Sequence, residues 1–204
     1  MRDEIQVQSL SGLQVQGSPT FQQTGSGNTQ IGYIGQQINH ITMGGMPQVI
    51  RPANPNYEYY NLFVIDQEQM DSLVAIPRKQ ALNEYTDQEI RKVYALPGLV
   101  AAEEIKRLPS LFVIRNQYGN HTAPDQRAGY GYIVDIVQKS DTVIVTASIS
   151  HVIRQEKLNL LEQELLLLSA PENNELACVH WAIKRVNLPQ LIQEKKLIET
   201  MDML

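Results

Sequence analysis

Cysteine is nearly absent: Cys178 is the only one in 204 residues. A single thiol cannot close an intrachain disulfide, so the fold must rest on its apolar core. The N-terminus lacks the basic start and apolar run of a signal peptide, and with the missing disulfides this leads to the expectation of a cytoplasmic protein. No uncharged apolar run reaches the about 20 residues of a membrane span. The longest candidate, Leu158 to Leu168, is interrupted by Glu162 and Glu164. An excess of positive charge is also missing. The formal net charge is −5 and Lys and Arg are scattered, which disfavours a broad nucleic-acid face but leaves room for a small basic patch. His40, His121, His151 and His180 are far apart and Cys178 stands alone, so no zinc spacing exists. Phosphate-loop, dinucleotide and nucleophile-elbow motifs are absent. The expectation is therefore no metal, no cofactor and no assigned catalytic residue.

The sharpest absence is local. From Ile5 to Ile50 there is no Asp, Glu, Lys or Arg, while ten of the first fifty residues are Gln and eight of the twelve glycines fall there. An ordinary surface helix or a charged solubilising tail needs ionised side chains on its wet face, so neither fits. Residues 51–204 carry sixteen Lys and Arg and twenty Asp and Glu. Composition thus divides the chain into an uncharged, Gln/Gly-rich, β-prone segment (1–46), a Pro/Asn linker (47–56) marked by Pro47, Pro52 and Pro55, and a globular part (57–204).

Within the first segment, Ile5-Gln6-Val7-Gln8-Ser9 returns as Leu13-Gln14-Val15-Gln16-Gly17, and Thr29-Gln30-Ile31-Gly32 is a looser third copy. Apolar and amide residues alternate, the period of a strand with one apolar and one amide face. Strands this short cannot bury a core alone; stacked on other copies, their Gln and Asn amides would align into ladders, and a charge-free sequence tolerates that stacking. Two other readings stand beside this one: a flexible Gln/Gly-rich tail, and a hairpin or β-solenoid cap over residues 25–45 that docks on the globular part.

The run from Gly27 to Asn39 resembles the bacterial amyloid signalling motifs related to the RIP homotypic interaction motif, whose core is aliphatic-Gln-aliphatic-Gly followed by Asn. Gln30, Ile31 and Gly32 match that core, Thr29 stands at the first aliphatic position, and Asn39 lies further from the glycine than in the family. The resemblance implies self-association through Asn28, Gln30, Ile31, Gly32, Ile34 and Asn39. It also implies a partner, a STAND-type NTPase with a matching segment, and a signalling or effector role in antiphage defence or programmed death. Leu108–Phe112, Ala123–Tyr132 and His180–Lys184 together resemble a small bacterial domain of unassigned activity that occurs fused to defence modules.

In the globular part, Tyr60–Ile65, Leu73–Ile76 and Leu111–Ile114 read as strands, Gly129–Val137 and Thr142–Ala147 as a hairpin, and Cys178–Lys184 as a further strand. Thr86-Asp87-Gln88-Glu89 has the form of a capping box, predicting a helix from Asp87 to about Ala95. Further helices are expected after Pro97 as far as Leu108, over residues 155–168, and from Leu188 to about Met201 capped by Asn187. This order does not alternate as a doubly wound fold does. It predicts an α+β fold whose mainly antiparallel sheet is open to a barrel-like closure, with helices packed on it.

Candidate ligand-binding residues fall in two places. His121, Asp125 and Arg127 share the 116–127 loop and could meet a small anion. Trp181 beside Lys184 could form a stacking and phosphate patch, and Cys178 and His180, two apart on an expected strand, would share a face. The plainer reading is a core Trp, a core Cys and a polar loop. Three expectations follow: a signalling protein that is not an enzyme; in second place a nucleotide- or nucleic-acid-reading module, a class the charge does not favour; and last a hydrolase effector using His121, Asp125 or His180.

Overall fold

The computed structural model describes residues 50–66, 71–94, 99–117, 121–170 and 173–198. The assembly motif expected at Asn28, Gln30, Ile31, Gly32, Ile34 and Asn39 lies outside the described residues. The first strand, β1 (Tyr60–Ile65), is buried at every position. β3 (Pro109–Ile114) is nearly so and runs parallel to it, with Leu62 beside Leu111 and Val64 beside Val113. Continuous apolar runs suit strands covered on both faces. The polar exception, Asn61, is fully used. Its amide nitrogen donates to the Ile105 carbonyl (3.2 Å) and Ser110 Oγ (3.1 Å), and its oxygen accepts the Trp181 indole N–H (3.1 Å).

Around this pair the other strands are antiparallel. β4 (Arg127–Gln138) joins β3 and returns as β5 (Thr142–Arg154); β2 (Leu73–Pro77) lies outside β5, and β8 (His180–Lys184) outside β1. The order β2-β5-β4-β3-β1-β8 gives a six-stranded mixed sheet curled into a half-barrel, so the expected α+β class with a mainly antiparallel, barrel-like sheet is what the chain forms. A small ladder of β6 (Ser169–Ala170) with β7 (Asn173–Asn174) precedes β8. The curl needs local twist in the two long strands, and register shifts fall between Tyr130 and Gly131 and between Ile133 and Asp135. At the first shift a side chain has no room: a Cβ on Gly131 would stand 2.0 Å from the Ser148 carbonyl oxygen.

Strand alternation divides the core. Tyr60, Leu62, Val64, Leu111 and Val113 face a cluster with Leu158, Leu161, Leu188 and Leu191. Phe63, Ile65, Phe112 and Trp181 face the other, with Val74, Ile76 and Ile105. Phe63 stacks between Phe112 (5.0 Å, 8°) and Trp181 (5.1 Å, 21°). Among the described residues both clusters are drawn from residues 59–198. No described helix is long and apolar enough to cross a membrane.

The helices are α1 (Gln88–Tyr94), α2 (Leu99–Lys106), α3 (Gln155–Asn159) and α4 (Leu188–Glu194). Three local expectations are corrected. The Thr86 capping box does not form. Asp87 Oδ1 accepts the Glu89 N–H (2.8 Å), Glu89 pairs with Lys92 (2.7 Å), and the buried Thr86 hydroxyl accepts the outward N–H of Ile183 on the edge strand β8 (3.1 Å). The helix expected over 155–168 stops at Asn159 and continues as turns. Those turns carry Leu161, Leu165 and Leu167 into the core while Leu160, Leu166 and Leu168 stay exposed, a partition that one helix could not make from consecutive leucines. Leu166 adopts φ 55° to achieve it, at a cost of about 1–2 kcal/mol. The last helix keeps its Asn187 cap, whose Oδ1 accepts the Gln190 N–H (3.2 Å), but ends at Glu194, and Lys196 turns left-handed so that Ile198 can bridge to Ile153.

Candidate functional site

β8 brings His180 and Lys184 to one face, four residues apart. The chain before it folds as a 3-10 turn, Glu175–Ala177, pinned to Leu168 by a Glu175 N–H to Leu168 carbonyl bond (2.8 Å). This places the Glu175 carboxylate between the two basic groups. Oε1 meets His180 Nε2 at 2.8 Å; Oε2 accepts from Lys184 Nζ at 2.7 Å and from the Leu168 N–H at 2.8 Å. Lys184 also donates to the Tyr85 carbonyl (2.8 Å), and His180 Nδ1 faces the Cys178 carbonyl (2.7 Å). Both ring nitrogens of His180 thus face oxygens that accept. The Glu175 and His180 side chains have no exposed surface and Lys184 has 6%.

The electrostatics follow from that enclosure. Burial by itself would raise the Glu175 carboxyl, but the hydrogen bond from His180 and the Lys184 ammonium outweigh it and hold the carboxyl below its ordinary value. Burial pushes the Lys184 ammonium down, against the opposing pull of Glu175. Tyr85 covers the network, its ring 4.3 Å from that of His180 at 38°. A side-chain hydrogen bond with Cys178, and then burial, push the Tyr85 hydroxyl well up.

Above this sealed network lies an open groove of about 920 Å³ at the seam of the half-barrel. Ala75 and Pro77 of β2 line it, with Lys79, Glu84, Tyr85, Cys178 and Val179; Asp66 and Arg115, at the ends of β1 and β3, contribute an ion pair at 3.2 Å. Cys178 is exposed in this groove and precedes β8, while His180 is buried. The expected thiol and imidazole face is therefore corrected: the ring bonds the Cys178 carbonyl.

The other expected site residues separate. Trp181 is fully buried on the opposite face of β8, stacked on Phe63 and bonded to Asn61, so it offers no stacking platform and does not join Lys184 in a phosphate patch. His121 and Asp125 are exposed, and Arg127 is half-buried at the start of β4. Among the described residues the Arg127 guanidinium donates to the Pro124 and Gln126 carbonyls, each at 3.5 Å, and the residue stands directly opposite Arg154 in the ladder. No three His, Cys, Asp or Glu side chains among the described residues are placed to hold a metal ion. Sequence reasoning found His180 and Lys184 but missed Glu175 and Tyr85. The available signal was a His and a Lys at i and i+4 on a strand with an apolar environment, a spacing that demands a buried acid. Comparison with protein-family models, with curated proteins and with solved structures finds no match to this chain.

Proposed function

We propose that the chain is a cytoplasmic signalling or effector protein of the antiphage or programmed-death type, recruited by homotypic, amyloid-like assembly of its N-terminal motif. The observation that carries this reading is the charge-free stretch from Ile5 to Ile50, with Gln30, Ile31 and Gly32 at the centre of an alternating amide and aliphatic pattern. In-register stacking tolerates such a sequence because no like charges pile up and the amides align along the stack. A STAND-type NTPase bearing a matching segment is the partner this reading implies. The globular part supports the reading by burying its own core within residues 59–198. The test is thioflavin T binding and sedimentation of the full chain beside Gln30→Asp and Ile31→Asp. Fibres from the parent and none from either variant are expected; a parent that stays monomeric at high concentration for days refutes the reading.

A second reading, a nucleotide- or nucleic-acid-binding module, rests on the Arg127 and Arg154 pair. The two residues stand opposite each other in the β4–β5 ladder, where two guanidinium groups could hold a phosphate, and Arg154 also pairs with Glu156 at 3.8 Å. Salt-dependent binding of oligonucleotides, weakened by Arg127→Ala, would support it. Hydrolase chemistry at His180 is disfavoured by its full burial.

A further inference from the structure

The residues that lead into β1 lie across the sheet. Ser148 of β5, Tyr132 of β4 and Pro109 of β3 are cross-strand partners and form one row. Side chains directly opposite each other in a ladder share a face. At one end of this row Ser148 Oγ accepts the Ile50 N–H (3.0 Å). At the other end Arg107, two residues before Pro109, holds the chain twice: its Nε donates to the Asn54 carbonyl (2.6 Å), and its own carbonyl accepts the Asn56 N–H (2.9 Å). Two strand spacings amount to about 10 Å, so the stretch from Ile50 to Asn54 spans the row and passes Tyr132. Pro52 and Pro55 stiffen it.

Tyr132 is only 4% exposed, yet among the described residues it belongs to neither core cluster. Burial, and then the Tyr130 and Tyr57 hydroxyls, push its own hydroxyl well up. Its ring lies 6.5 Å from that of Tyr130, which lies 6.0 Å from that of His151, and Ser150 Oγ meets His151 Nδ1 at 2.9 Å. Burial, and then the Arg51 charge, push the His151 imidazole down. Arg51 and Tyr57 of the crossing stretch are themselves exposed, and both bear on the face it crosses.

We propose that residues 50–57 are a strap that covers the face formed by Tyr130, Tyr132 and His151, and that a pull on its N-terminal end lifts it. The source of the pull rests on the assembly reading: residues 1–49 run directly into the strap, and their stacking would draw on Ile50. The covering contact stands without that reading. At the end where the pull arrives the anchor is the bond from Ile50 to Ser148, whereas Arg107 holds the far end twice, so the strap peels from β5 toward β3 and uncovers Tyr132 on the way. Neither core cluster of the described residues contains a strap residue, so both can stay packed while it lifts.

The test is hydroxyl-radical footprinting of the full chain, read residue by residue by mass spectrometry, with the fully buried Tyr60 as internal control. Three samples are compared: the soluble parent, the soluble double variant Arg107→Ala/Ser148→Ala, which loses one bond at each end of the strap, and the assembled parent. Oxidation of Tyr130 and Tyr132 is expected to be low in the soluble parent and to rise several-fold in the other two, with Tyr60 silent throughout. A double variant whose Tyr132 stays as protected as the parent's overturns the strap, and an assembled parent whose Tyr132 stays protected overturns the pull. A parent that does not assemble refutes the assembly reading and the pull with it, while the double variant still decides the strap. Should Tyr60 also be oxidised in that variant, hydrogen exchange of the unaltered soluble chain decides. The Asn56 amide should then be protected relative to a free peptide, yet open at least about tenfold more often than those of Leu62 and Val64. An unprotected Asn56, or one that opens only with β1, overturns the strap.

Discussion

Replacing Glu175 by Gln removes one charge from a fully enclosed ionic group while keeping its shape. The parent carboxylate accepts from His180, Lys184 and the Leu168 N–H. Glutamine retains a single oxygen, so its amide N–H₂ must face at least one of these donors, and the buried Lys184 ammonium loses its counter-charge. Breaking a buried pair in this way costs about 3–5 kcal/mol, whereas replacing the whole set by apolar groups of similar volume is often neutral. For a domain of this size roughly 2–4 °C of melting temperature corresponds to each kcal/mol, so Glu175→Gln should melt about 6–20 °C below the parent. Calorimetry and urea unfolding of Glu175→Gln, Lys184→Met and the double variant form a cycle. The double variant should recover part of the loss, since removal of the ammonium relieves the uncompensated charge. A Glu175→Gln variant within about 1 kcal/mol of the parent would refute the premise that the site is sealed and the three groups act together.

The network also fixes a pH dependence. Glu175 is held below its ordinary value of 4.5, so its contribution to stability is complete above that pH and is lost as pH falls through the lower folded value; urea midpoints of the parent should drop there more steeply than those of Glu175→Gln. Lys184 is depressed by burial, so its charged form opposes folding and stability recovers as pH rises through the depressed value. That recovery should be larger in Glu175→Gln, where the carboxylate no longer offsets the burial. At the first register shift, Gly131→Ala places a methyl group 2.0 Å from the backbone oxygen of Ser148 and should destabilise by about 1–3 kcal/mol or more. Gly129→Ala has the Ile149 side chain as its nearest neighbour, at 3.0 Å. It should cost less in the same denaturation assay, and equal losses would contradict the bulge geometry.

Strands were legible where several physical signals agreed. Tyr60–Ile65 and Leu111–Ile114 combine branched and aromatic residues with breakers on either side, and both are strands in the fold. The Asn187 cap was readable because the competing partner for its side chain is only its own helix. Thr86 was not, because a tertiary partner, the unsatisfied N–H of Ile183 on an edge strand, outcompetes the local amide. The leucines at 165–168 look equally apolar in any conformation, so sequence could not divide them between core and surface. Glu175 escaped notice for a related reason. An acid in the polar run 171–175 resembles a solvated loop residue until the fold carries it between His180 and Lys184. The groove beside Ala75 depends on which strand ends the sheet, a property of topology that no local pattern encodes.

The central claim is that chains are joined by stacking of the uncharged segment, and fibre diffraction of the assembled full chain tests it most directly. A meridional reflection near 4.7–4.8 Å with an equatorial one near 10 Å is predicted, both absent for Ile31→Asp prepared identically. A parent protein that yields no such spacings, or an Ile31→Asp variant that yields the same ones, would contradict it.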